Sequence, residues 1–268
     1  MVENAECIED FVTALRTHSS LTNVIYSPNP PASHVDIDRW QTLNAPYTLP
    51  SDFKSFCLAT NGFDLSYDIK SQDETIPLGK ASICALSELS RIRALDYNDT
   101  SAIDLAVPPP FPHAKALSRR ALAGAAAFVL TQDFRHIGGR FCFFYREGCV
   151  DSPEIWLQDL ALEWWYVCSS FSDLMRLFFY HFCLPRWALI FTDTLPDQAA
   201  LHWLRLLAPK RLELDLSYKR SLNVPSLGKV VDKSSLSVTP KLDTSRLLSL
   251  LEGETKNERV ESKQRVRS

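Results

Sequence analysis

Apolar residues at the start of the chain recur at three- and four-residue intervals: Ile8, Phe11, Val12 and Leu15. That spacing gathers them on one face and predicts an amphipathic helix over Glu3–Thr17. Leu21 to Tyr26 is a short β-branched run, read as a strand, and the Pro-rich SPNPPAS after it forces an extended turn. Ser33 is placed to cap a helix to about Leu43 that carries Val35, Ile37 and Trp40. A third helix opens at Leu49-Pro50, where proline's missing N–H is no loss, and Asp52 suits its positive end. Phe53, Phe56, Cys57 and Thr60 share one face of it. Gly62 is expected to close that helix as a left-handed cap.

From Phe63 the period changes from 3.6 to 2. Phe63, Leu65, Tyr67 and Ile69 alternate with polar residues, the mark of a half-buried strand. Ile76–Leu86 reads as another strand, followed by a short helix to Leu95 and a Pro-rich surface loop over Asn98–Leu122. Ala126–Thr131 and Arg140–Arg146 form two strands around HIGGR, read as a tight turn, and Glu154–Gln158 and Glu163–Val167 add two more. The pattern is an antiparallel meander. Ser170 then starts a helix with Phe171, Leu174, Leu177, Phe178 and Phe182 on one stripe. Thr194-Leu-Pro-Asp197 starts another that buries Ala200, Trp203, Leu204 and Leu207 and stops at Pro209.

The expected class is therefore α+β, a largely antiparallel sheet flanked by helices over residues 1–216, with a mostly disordered tail over 217–268. One island interrupts that polar tail: Thr244 can cap a short helix near 244–252 that carries Leu247, Leu248, Leu250 and Leu251. A helix so short is marginal alone in water and orders on a surface, so these four leucines are candidate partner-binding residues.

Composition narrows the chemistry. A chain of 268 residues, 46% hydrophobic with fifteen Phe and six Trp, buries a full aromatic core. Its eight glycines leave few for phosphate-cradling loops, and no Walker, GxSxG or GxGxxG motif occurs. Seven scattered cysteines without a two-residue gap read as reduced, buried thiols, not zinc or redox ligands. Neither a signal-like leader nor an apolar run long enough to span a bilayer is expected, so the chain reads as cytoplasmic and without a membrane partner. The six histidines never fall at metal-ligand spacing. His181, in the aromatic FFYHF, reads as a hydrogen-bonded core or rim residue, and a Cys/His pair built from Cys57 or Cys142 is disfavoured because burial silences a thiol. No catalytic residue, cofactor or metal site is expected.

Charge is unevenly spread. Residues 217–268 hold 11 of the 29 Lys and Arg and 6 of the 32 Asp and Glu, so the tail is +5 and the body −8. The tail's cations lack interleaved aromatics, which argues against a nucleic-acid partner. A solvated tail and an acidic protein surface are the two readings left.

Function comes from resemblance. Leu49-Pro50-Ser51-Asp52-Phe53, Phe56 and Asn61-Gly62 resemble the signature of the SUKH superfamily, a domain of bacterial immunity proteins. Ile76-Pro-Leu-Gly79, Glu154-Ile-Trp156 before Asp159, Phe171, His181-Phe-Cys-Leu-Pro185-Arg-Trp187 and Pro196 before Trp203 follow in order. Together they resemble the second-subunit family of tubulin polyglutamylase complexes, from about Leu21 to Pro209. The loop Asn98–Leu122 departs from that family in being Pro- and Ala-rich, and the tail in being short. The resemblance implies a non-catalytic scaffold subunit, with Leu49, Pro50, Asp52, Phe53, Asn61, Gly62, Trp156, Pro185 and Trp187 as structural motif residues. It implies as partners a tubulin tyrosine ligase-like glutamate ligase and the other complex subunits. It places the chain on the cytoskeleton, at microtubules or a centriolar or ciliary base; microtubule contact through the basic tail is an expectation from charge, not from the resemblance. A stand-alone SUKH-type binding module with a different partner is the alternative.

Overall fold

A computed structural model describes residues 3–71, 74–92, 125–131 and 133–223. The chain is α+β. Two antiparallel sheets are built from β1 (Leu21–Pro28), β2 (Phe63–Ser71) and β3 (Glu74–Ile83), and from β4 (Ala126–Val129), β5 (Gly139–Tyr145), β6 (Glu154–Asp159) and β7 (Trp164–Cys168). The first sheet has the order β1-β2-β3 and the second β4-β5-β6-β7. Helices α1 (Glu3–Thr17), α2 (His34–Leu43), α3 (Ser51–Ala59), α4 (Phe134–Ile137), α5 (Phe171–Tyr180), α6 (Gln198–Leu207) and α7 (Pro209–Asn223) accompany them.

The segment after β3 stitches the sheets together. Cys84 N–H donates to Leu130 O at 2.9 Å, and Ile92 N–H to Ala127 O at 2.9 Å. Val129 N–H returns a bond to Ser90 O at 3.0 Å. Residues 84–92 thus run beside β4, and the short helix expected there is a single 3-10 turn at Leu86–Glu88.

The period-2 pattern of the second sheet serves two layers. Phe128, Phe141, Phe143, Tyr145, Ile155 and Leu157 face the main core, against α3, α5 and α1. The alternate residues Ala127, Val129, Cys142, Phe144, Trp156 and Trp164 form a second apolar cluster on the other face. This is why RFCFFY reads as a continuous apolar run instead of alternating. In the main core Phe53 packs edge-on against Phe143 at 5.0 Å and Phe171 at 4.9 Å, and Phe11 of α1 stacks on Phe179 at 4.6 Å. Burying each such ring contributes about 1.5–3 kcal/mol.

Three expectations change. Helix α3 ends at Ala59 with Thr60 extended, so Gly62 (φ +88°) is not its cap but the corner into β2. HIGGR is not a tight turn: Asp133 accepts from His136 N–H and caps the one-turn helix α4, which Gly138 (φ +86°) ends. Pro209 does not finish the helical region but begins α7, which runs to Asn223, so the 216/217 boundary falls inside a helix. Of the apolar residues that the second helix carries, Ile37 and Trp40 are buried and Val35 is exposed. The loop Asn98–Leu122 and the leucines Leu247, Leu248, Leu250 and Leu251 lie outside the described residues.

Candidate interaction surface

The motif residues tie distant elements together. Pro50 precedes α3 in an extended conformation and Leu49 is buried beneath it. Asp52 Oδ1 accepts from Phe53 N–H at 2.9 Å, within the first turn of α3. Its Oδ2 accepts from Ser172 N–H at 2.9 Å, in the first turn of α5. One carboxylate therefore serves two helix starts, where unpaired donors favour negative charge.

Asn61-Gly62 is a second tie. Asn61 Oδ1 accepts from Leu86 N–H at 2.8 Å, and its carbonyl accepts from Asn29 Nδ2 at 2.9 Å. Gly62 O accepts from Asn29 N–H at 2.9 Å. A Cβ on Gly62 would lie 2.5 Å from Ile83 O and 2.8 Å from Ala85 N, so only glycine fits.

The third group surrounds HFCLPRW. Phe182, Cys183 and Arg186 all have positive φ. Tyr67 Oη donates to Phe182 O at 2.6 Å, Lys80 N–H to Cys183 O at 3.0 Å and Arg186 N–H to His136 O at 2.6 Å. Trp187 stacks on His181 at 4.5 Å and packs against Phe141 and Phe178. His181 is fully buried: Nδ1 lies 2.7 Å from Leu177 O, and Nε2 lies 2.7 Å from Asp215 Oδ2. Arg211 closes the network by pairing with the same carboxylate from one turn earlier on α7.

Trp156 belongs to none of these. It lies in the second apolar cluster, where its Nε1 donates to Glu154 Oε2 at 2.8 Å and the Arg146 guanidinium lies over its ring at 5.5 Å. Asp52, Phe53 and Phe171 are thus brought together, Asn61-Gly62 enters β2 beside the exit of β3, and Pro185 and Trp187 occupy the α5–α7 junction. The sequence reading missed Asp215 and Arg211, because no helix was expected beyond Pro209 and the i, i+4 Arg–Asp pair had no element to sit on.

An open cleft of about 730 Å³ lies between the starts of α3 and α5 and the β5–β6 loop, lined by Ser51, Asp52, Arg146, Asp151, Glu154 and Ser170. Its cation is engaged, since Arg146 Nε donates to Glu154 at 3.0 Å. The thiols weighed as nucleophiles are elsewhere: burial pushes Cys57 and Cys142 up to about 12. Burial also raises the Cys183 thiol. Among the described residues no cluster of His, Cys, Asp and Glu has a metal-holding arrangement, and no helix is long and apolar enough to cross a membrane. The surface also carries exposed leucines, Leu160, Leu162, Leu195, Leu206 and Leu214 among them.

Comparison with known proteins gives this chain its relatives. Human tubulin polyglutamylase complex subunit 2 is 26% identical over 210 residues, covering 73% of this chain and 67% of that protein. The rat protein of the same name is 27% identical over 202 residues, covering 73% and 68%. This chain is similar to tubulin polyglutamylase complex subunit 2. Mouse subunit 2 is 26% identical over 216 residues, covering 78% of this chain and 73% of its own length. No family model matches the chain, and no solved structure does. The similarity to subunit 2 spans 73–78% of the chain.

Proposed function

We infer that this chain is a non-catalytic subunit of a tubulin polyglutamylase complex, a scaffold on which a separate glutamate ligase of the tubulin tyrosine ligase-like class acts on tubulin tails. The observation that carries the reading is the similarity to subunit 2 in three mammals. The geometry supports it: the motif residues Asp52, Asn61, Gly62 and Trp187 are spent on joining elements, and none is aimed at a reactive centre. Recovery of a glutamate ligase with the tagged full chain from cells supports the reading; recovery of no ligase sinks it. Glutamylation of tubulin by the purified chain with ATP and glutamate alone would sink the non-catalytic role.

Charge assigns the surfaces. Tubulin tails are strongly acidic, and a body at −8 repels them over the screening length of about 8–10 Å. The body therefore holds other subunits, and the basic residues of the tail, Lys263, Arg265 and Arg267 among them, meet the microtubule. Changing those three to Glu in the full chain lowers salt-sensitive microtubule co-sedimentation. Unchanged co-sedimentation removes the tail from the interface.

A further inference from the structure

We propose that the tip of the β6–β7 hairpin, Leu160 to Leu162, is a preformed apolar plug that inserts into an apolar pocket on another subunit of the complex, an inference that rests on the reading of the chain as a complex subunit.

The tip is a three-residue loop closed at both levels. Asp159 N–H donates to Glu163 O at 3.0 Å, and Leu162 N–H donates to Asp159 O at 3.0 Å. In such loops the third residue takes the left-handed conformation, a position where glycine is favoured because a Cβ is crowded there. This chain places Leu162 there, at φ +64°. Its neighbours enforce the shape. Asp159 Oδ1 accepts from Ala161 N–H and from Glu163 N–H, each at 2.9 Å, and Oδ2 accepts from Trp165 Nε1 at 2.9 Å. All this fixes a loop whose two leucines are 63% and 68% exposed. Strain held in place to present apolar side chains to water points outward, to a ligand, and not inward to the fold.

The chemistry of the tip selects a protein pocket. The residues that flank the loop, Asp159 and Glu163, are carboxylates, so an anionic lipid surface is disfavoured. A rigid pair of leucines loses little conformational freedom on binding, which is how small anchors carry an interface. At the same end of the sheet Gly139 pairs with Asp159, and Phe134, ahead of that strand, is 40% exposed beneath the Arg140 guanidinium.

The test uses the full chain with the other complex subunits, as wild type, Leu162→Gly, Leu160→Ser and Ala161→Ser. Leu162→Gly relieves the left-handed strain, so its Tm equals or exceeds the wild type's. Its affinity for the remaining subunits nevertheless falls by about tenfold or more, as does that of Leu160→Ser, while Ala161→Ser binds as wild type does. If the wild type assembles and both leucine variants bind equally well, the plug is refuted and the subunit reading stands. If the wild type itself does not assemble, the subunit reading fails, and the plug with it. Flotation of the wild-type chain with phosphatidylcholine vesicles, or self-association lost in Leu160→Ser, would assign the tip to a membrane or a second copy and overturn the proposal.

Discussion

The imidazole of His181 and the carboxylate of Asp215 meet at 2.7 Å inside the protein, 34 residues apart in the chain. The pair joins the end of α5 to α7, and Arg211 completes it. Removing one partner of a buried pair leaves the other uncompensated. Asp215→Asn therefore lowers stability by about 3 kcal/mol. Chemical denaturation reads the loss, and hydrogen exchange locates it in α7; a variant as stable as wild type would show the pair to be dispensable.

Three glycines separate conformation from space. Gly62→Ala meets both a left-handed φ and the backbone of Ile83 and Ala85, and costs about 2 kcal/mol or more. Gly148 has φ +77° with nothing within 4 Å, so Gly148→Ala costs only the conformational part, about 1 kcal/mol. Gly79→Ala drives a methyl into the ring of Tyr67, whose hydroxyl is anchored on Phe182 O, and it is damaging without any φ penalty. Thermal unfolding of the three variants ranks Gly148→Ala as the mildest.

Burial holds the His136 imidazole below its ordinary value, against the opposing hydrogen bond to Cys183 O and the nearby Asp133 carboxylate. The unfolded chain takes up this proton at about pH 6.5, before the native state does. Stability tied to His136 is present above that pH and is lost as pH falls through the window below it. Tm measured from about pH 7.5 down to about pH 5 falls less steeply in His136→Gln than in wild type. Equal slopes would remove His136 from the pH response.

Thiol reactivity follows exposure. Cys149 is exposed and Cys7 half-buried, while the other five are buried, two of them pushed up to about 12. Iodoacetamide at mild alkaline pH labels Cys149 first in the native protein. Rapid native labelling of Cys57 or Cys142, located by peptide mass spectrometry, would contradict the packing.

Local devices were legible in the sequence, and long-range ones were not. Ser33 and Ser170 cap their helices within three residues of themselves, so the sequence window contains the whole interaction. The meander of β4–β7 was readable because each strand pairs with its sequence neighbour. The division into two sheets was not, since the link through residues 84–92 to β4 crosses a long intervening segment. Helix α7 was hidden for a different reason. Its surface is strongly polar, and only Leu212, Asp215 and the half-buried Leu216 reveal which side meets the body. Among the motif residues, Asp52 and Gly62 stood out as residue types, but their partners Ser172 and Ile83 came only with the fold. Leu162 gave no sign at all, because leucine is the last residue expected where glycine is easiest.

The run from Phe182 to Arg186 takes its bonds from both halves of the molecule: Tyr67 and Lys80 belong to the first sheet, and His136 lies in the turn that feeds the second. Its backbone is riveted on two sides, so neither half can tilt without tearing out the rivets. A partner that grips both halves therefore has to fit their spacing as it stands.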